Sequence, residues 1–287
     1  MIKIAAFCFS LLFLWTSQGC QLINPPEPIP TYLVIDSLDF IVQDPDKEGT
    51  GRQQIQCVWV YLDNDALGVF DLPTQIPILS ENSGLLRIVP GVIYGGMKDF
   101  VVPYPFFQAD TAMYHPNPGG EIRLQPRTHY FPDVRFAWKE DFEVGNSWIP
   151  ANVGLEDDTS LHRINQPDLV FEGNGAGMIA LDQKHPFSEN ITNNGFPLSE
   201  SNAYVELHYK STAPFEVGLL VQGSGQIVVE YLFGVHPQDE WNKIYFGLSS
   251  FLSTYKGSSY RLMIRSHLPE GQETGYVLID NMKILSF

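Results

Sequence analysis

The chain reads as all-β, built from two β-sandwich domains, and three observations predict this. Helical periodicity is nearly absent along the 287 residues. Short runs rich in Val, Ile, Tyr and Phe recur, cut by Gly, Pro, Asn and Asp roughly every 8 to 12 residues, the pattern of strands joined by tight turns. The composition is 44% hydrophobic, enough to fill two cores in a chain of this length.

The first 30 residues stand apart. Lys3 supplies a positive end, and Ile4 to Trp15 form an apolar run shorter than the roughly 20 residues a membrane-spanning helix needs. Residues 1–19 therefore read as a secretory signal. Ser17-Gln18-Gly19-Cys20 resembles the lipobox of bacterial lipoproteins, with Ser17 where Leu is commonest. The resemblance implies that Cys20 becomes an acylated N-terminus, and two or more acyl chains anchor a protein stably in a bilayer. The segment from Cys20 to Pro30, with Pro25, Pro26, Pro28 and Pro30, cannot continue a helix or a central strand, so it is predicted to be an extended stalk.

In residues 31–133, strands are predicted at 32–42, 54–62, 66–72, 84–90 and 120–125. Asp63-Asn64-Asp65 supplies hairpin turn residues. That density suggests an immunoglobulin-like sandwich. Residues 91–120 break the pattern with Pro103, Pro105, Pro116 and Pro118 among many aromatics. Such a segment cannot be a central strand. It is either a cap on the sandwich or an exposed contact loop, and in the second case Tyr104, Phe106, Phe107 and Tyr114 are the candidate partner-binding residues.

In residues 134–287, strands are predicted at 169–171, 178–181, 203–210, 215–222, 226–233, 242–247, 260–266 and 277–285, a count that points to a jelly roll. The run "AYVELHYKS" alternates cleanly, and "LSSFLSTYKGS" is the one helical turn expected. "EDFE", "YVELHYK", "WNKIYFGLSSF" and "GYVLIDNMKIL" resemble the galactose-binding-like jelly rolls of carbohydrate-binding modules. "VWVYLDNDALGVFDLPTQIPIL", "RIVPGV" and "VPYPFF" are similar to uncharacterised surface lipoproteins of the Bacteroidota. The first likeness implies a structural calcium ion between Glu143 and Asp280. The second implies the outer membrane, with the cell surface favoured over the periplasmic face; an outer-membrane protein as partner is suggested by two β domains on a fixed stalk with no catalytic set and a proline-aromatic loop suited to a contact. Asp36-Ser37-Leu38 and Asp110-Thr111-Ala112 resemble Bacteroidota O-glycosylation acceptors.

Composition and motifs exclude several functions. The formal charge is −16, and removal of Lys3 with the signal makes it −17, which opposes nucleic-acid binding through a positive field. Cys8 leaves with the signal and Cys20 takes lipid, so Cys57 has no disulfide partner and is assigned to the core. The seven histidines show no metal-ligand spacing, and no catalytic motif is present. The acid pairs 140–143, 156–158 and 239–240 are assigned to solvated turns. Trp148, beside Gly145-Asn146-Ser147, is the candidate glycan platform, while Trp241 is assigned to packing. The leading expectation is a non-enzymatic docking subunit of an outer-membrane complex. Glycan binding by the jelly roll is the alternative, and hydrolysis ranks last.

Overall fold

The computed structural model describes residues 27–97, 100–151, 159–198, 202–223 and 226–287. The signal segment, Cys20, most of the stalk, and Glu156, Asp157 and Asp158 lie outside the described residues. Among the described residues, no helix is long and apolar enough to cross a membrane.

The first half contains β1 (Thr31–Ile35), β2 (Asp39–Phe40), a single helical turn α1 (Pro45–Glu48), β3 (Cys57–Leu62), β4 (Asp65–Asp71), β5 (Thr74–Ile78), β6 (Gly84–Ile93), β7 (Val101–Pro103), β8 (Asp110–Tyr114), β9 (Glu121–Leu124) and β10 (Arg127–Thr128). The sheet β5-β1-β9 faces the sheet β4-β3-β6, which β7 and β8 extend from β6. Leu33, Ile35, Val58, Val60, Ile76, Leu86 and Ile88 fill the space between them. The β3–β4 hairpin forms where its turn residues predict. Asp63 takes a positive φ of 53°, and its carboxylate accepts the Leu85 N–H at 2.8 Å. Cys57 is fully buried, and burial pushes its thiol up to about 11, so it is a core residue. Four strands escape a reading by composition, β5, β7, β8 and β10. Pro77 interrupts β5, which is tolerated because β5 is an edge strand. The proline-aromatic segment encloses β8.

The second half contains β11 (Arg135–Glu140), β12 (Trp148–Pro150), β13 (His162–Ile164), a 3₁₀ turn (Pro167–Leu169), β14 (Ala176–Asp182), β15 (Phe187–Thr192), β16 (Ala203–Ser211), β17 (Phe215–Gly223), β18 (Gln226–Val235), β19 (Gln238–Gly247), α2 (Ser249–Thr254), β20 (Ser259–His267) and β21 (Thr274–Ser286). One sheet runs β13-β14-β21-β16-β19 with β11 added to β21, and the other runs β12-β15-β20-β17-β18. Their inner faces bury Val205, Leu207, Val217, Leu219, Phe246, Leu262, Ile264 and Ile279. The protein is thus all-β.

β16 alternates as its sequence implies, but its polar face is not solvated. Glu206 is 0% exposed, because the first half covers that face of the sheet. Its carboxylate accepts hydrogen bonds from Tyr104 Oη at 2.6 Å and Tyr130 Oη at 2.9 Å, and pairs with Lys243 Nζ at 2.8 Å. Lys283, also buried, donates to the Glu48 carbonyl and to Tyr130 Oη at 3.4 Å. Around this network pack Val92, Phe106, Phe107, Tyr245 and Leu285. This corrects the expectation of an exposed contact loop. Tyr104, Phe106 and Phe107 belong to the junction between the halves, and Tyr114 lies in the first core with its hydroxyl on the Ser80 carbonyl at 3.0 Å.

Burial alone would raise the Glu206 carboxyl, but the Lys243 and Lys283 ammonium groups more than offset it and hold the group below the usual glutamate range. Its contribution is therefore present above the unfolded pKa and lost as pH falls through the folded one. Lys283 behaves differently. Burial, with Lys243 nearby, pushes it down to about 7 from 10.5, so the unfolded chain binds the extra proton between these values and stability rises with pH across that window. Glu206→Leu, which strands Lys243, is expected to cost about 3–5 kcal/mol in urea unfolding, and Lys243→Leu added to it should recover much of the loss. Lys283→Met should flatten the stability–pH slope between 7 and 10, measured below the titration of the buried phenols, which burial raises well above 10.

Candidate binding cleft at the domain junction

β19 enters the junction from solvent. Gln238, Asp239 and Glu240 are exposed, Trp241 and Asn242 are half-buried, and Lys243 to Gly247 are buried. Opposite stand Gln54 and Gln56 from the approach to β3, Asp71 and Leu72 from the end of β4, Ile93 and Gly96 at the end of β6, and Val101 of β7. A cleft of about 580 Å³ lies between the two walls, floored by Lys243 and Tyr245. Its volume falls within the range of small-ligand sites.

Backbone ties fix the two walls. Gln54 Oε1 accepts the Lys243 N–H at 2.6 Å, while the Gln54 N–H donates to Tyr245 Oη at 3.1 Å. The Gly95 N–H donates to the Tyr245 carbonyl at 2.9 Å. Trp241 is held from behind by Phe171, with ring centroids 5.4 Å apart, and Phe171 stacks on His208 at 4.1 Å. Burial, reinforced by the Lys243 and Lys283 charges, pushes His208 down to about 2, so its imidazole is neutral and packs as an aromatic ring. The cleft is therefore lined by one supported indole, by the amides of Gln56 and Gln238, by Gln54 and Asn242, whose side chains already meet the Lys243 N–H and Tyr209, and by the carboxylates of Asp71 and Glu240.

Trp148, expected as a platform, is only 3% exposed. β12 pairs with β15 and turns Trp148 inward against Trp138, ring centroids 5.8 Å apart, leaving Ile149 on the outer face. The glycine-rich turn before it does not expose it, because Ser147 N–H donates to the Glu140 carboxylate at 2.7 Å and closes the loop. Trp241, assigned to packing, does pack, on Phe171 and against the cluster of Ile164, Ala176 and Leu278, and it also lines the cleft, a place the sequence reading did not give it. The cue available was its position between Glu240 and Asn242, where a charged strand end turns apolar. The two glutamines facing it come from a region nearly two hundred residues away.

Glu143 and Asp280 do approach one loop, but they anchor it directly. Glu143 accepts from Asn174 N–H at 2.9 Å and from the Asn174 side chain at 3.1 Å. Asp280, fully buried, accepts from the Glu172 N–H at 3.3 Å and the Asn281 N–H at 2.7 Å. Burial pushes Asp280 up to about 8, with Glu143 and Glu172 adding to it and the two backbone donors opposing. Gly173 takes φ of 73°, and a Cβ there would collide with the Glu143 carboxylate. Three main-chain carbonyls around this loop are taken by one side chain. Arg163 donates to the carbonyls of Phe142, of Glu143 at 3.2 Å, and of Asn174 at 3.1 Å. Calcium takes six to eight oxygens. Among the described residues, no three acid, histidine or cysteine side chains are placed to hold a metal. The residues present do not fit the ion, and the guanidinium supplies the positive charge at this point.

No protein-family model matches the chain, and no curated protein matches it in sequence. Among solved structures it is similar to TmCBM61 in complex with β-1,4-galactotriose, at 13% identity and a TM-score of 0.36, over 52% of this chain and 97% of that one. It is also similar to a carbohydrate-binding module of the β-sandwich superfamily, at 10% identity and a TM-score of 0.39, over 80% and 85% of the two chains. A third similarity is to the K3 adhesin domain of Lys-gingipain from Porphyromonas gingivalis, at 14% identity and a TM-score of 0.35, over 54% and 99%.

Chelation with EDTA is expected to leave the thermal midpoint unchanged. Arg163→Ala, which strands three carbonyls, should lower stability by about 2–4 kcal/mol. Scanning calorimetry with and without calcium checks both.

Proposed function

We propose that this protein is a non-enzymatic carbohydrate-binding lipoprotein of the outer membrane, anchored by acylated Cys20, which holds a short glycan segment in the junction cleft. The observation that carries this is Trp241, a half-exposed indole backed by Phe171 and ringed by amide and carboxylate groups. Sugar rings offer an apolar C–H face and an equatorial fringe of hydroxyls. Indole suits the first, and planar amides and carboxylates, which pair with adjacent hydroxyls, suit the second. The walls are fixed by backbone bonds across the junction, so little ordering is lost on binding.

The docking reading depends on an exposed aromatic face at Tyr104 to Phe107. That face is internal, and its apolar area is spent on the contact between the halves. The carbohydrate reading needs no such surface. Cell-surface placement, a membrane partner and O-glycosylation at Ser37 or Thr111 belong to the proposal only as the setting in which such a binder would act.

Isothermal titration of the lipid-free chain against a panel of β-linked oligosaccharides tests the reading. A binder should be found, recovered uncut, and Trp241→Ala should weaken it by about 2 kcal/mol or more, near thirtyfold, while Trp148→Phe should not change the affinity. Binding that survives Trp241→Ala intact places the ligand elsewhere and sinks the cleft assignment.

A further inference from the structure

The charge of the cleft selects among glycans. Two carboxylates stand on opposite walls and both are exposed, Asp71 at the end of β4 and Glu240 on β19. The one cationic side chain lining the cleft among the described residues is Lys243. Its ammonium faces inward, with its side chain 1% exposed, and is neutralised by Glu206 at 2.8 Å. A ligand in the cleft therefore meets its backbone and stem, not its charge. Arg52 lines a separate depression with Phe171, over whose ring its guanidinium sits at 5.5 Å, and it pairs with Glu172 at 3.8 Å. The chain as a whole adds a formal charge of −16. A hydroxyl-rich ligand finds acceptors and donors here at no electrostatic cost, whereas an anionic group finds two negative walls and, among the described residues, no exposed cation lining the cleft.

We infer that the cleft takes uncharged glycans and rejects those carrying carboxylate or sulfate groups, with Asp71 and Glu240 as the discriminating residues. This rests on the carbohydrate reading above and specifies its ligand class. The discrimination comes from repulsion, which is the cheaper route to selectivity because it need not improve any contact with the accepted ligand. At partly solvated separations each like-charge contact weakens binding by on the order of tenfold, and added salt reduces that figure.

The test is a paired titration of the full chain. Neutral oligosaccharides (gluco-, manno-, xylo- and galacto-configured) are set against oligogalacturonate and a sulfated galactan fragment, at low and high salt. The expected result is a neutral ligand that binds at least tenfold more tightly than any acidic one, a gap that narrows in high salt. The double variant Asp71→Asn, Glu240→Gln keeps the hydrogen-bonding shape, and in it the ratio of neutral to acidic affinity should fall by about tenfold or more. Tight, Trp241-dependent binding of an acidic glycan overturns the charge assignment while leaving the carbohydrate reading in place. A gap that neither salt nor the double variant alters overturns it as well. If no member of either set binds, the carbohydrate reading itself fails, and this inference with it.

Discussion

A carboxylate with no solvent exposure determines how the two halves meet. Glu206 sits on a jelly-roll strand whose sequence looks half-solvated, and in an isolated sandwich it would face water. In the protein it is sealed, which is tolerable only because two phenols and an ammonium meet it at hydrogen-bonding distance. Tyr104 and Tyr130 come from the first half, and Lys243 comes from the second. The network therefore cannot be complete in either half alone. Buried ion pairs of this kind seldom add much net stability, but they penalise every arrangement that leaves one member unpartnered. Here that penalty specifies a single docking of one sandwich on the other, and the aromatic residues of the proline-rich segment supply the apolar area around it.

The cleft follows from this docking. Lys243 and Tyr245 belong both to the sealed network and to the cleft floor, so the position of Trp241, two residues before Lys243, is set by the same contacts. The tie between Gln54 and the Lys243 backbone carries that constraint to the opposite wall. One wall of the cleft comes from connections, Gln54 and Gln56 before β3, Leu72 after β4 and Gly96 after β6, but those connections are tied to the buried end of β19. Loss of the junction would abolish the cleft.

How much of this the sequence shows depends on whether a feature is local. The long strands β3, β4 and β16 to β21, the Asp63 turn, the short helix at Ser249–Thr254 and the core assignment of Cys57 are written in neighbouring residues and are legible there. The strand expected at 169–171 falls at the end of a 3₁₀ turn, and the short β11, β12, β13 and β15 are not foreseen. Alternation in β16 is equally legible, since period two is a property of the strand. What alternation cannot state is what lies over each face. Glu206 reads as a solvent-facing residue until another domain covers it, and the same blindness turned Tyr104, Phe106 and Phe107 into a supposed outer surface. Trp148 was misread for a related reason. A glycine-containing turn before Trp148 suggests exposure, yet strand pairing with β15 rotates the ring inward. A strand start at Trp241 suggests packing, and the indole does pack, on Phe171 and the Ile164, Ala176 and Leu278 cluster, while also lining the cleft.

The polar groups of this acidic chain divide into two sets, and the division separates structure from function. Glu140, Glu143, Asp280 and Glu206 are each answered by donors nearby, and Arg163 closes three carbonyls where a metal was expected. These groups are saturated, so their conspicuous place in the sequence says nothing about ligands. Around Trp241 the accounting does not close in this way. Its neighbours present hydrogen-bonding capacity and negative charge to an open volume, while the one cation lining it among the described residues is paired inside the protein. Polar capacity left unmet beside a supported aromatic ring is a cost in an apolar contact and an asset in a hydrated one. That asymmetry favours a hydroxylated ligand over a hydrophobic protein surface as the natural occupant of the cleft.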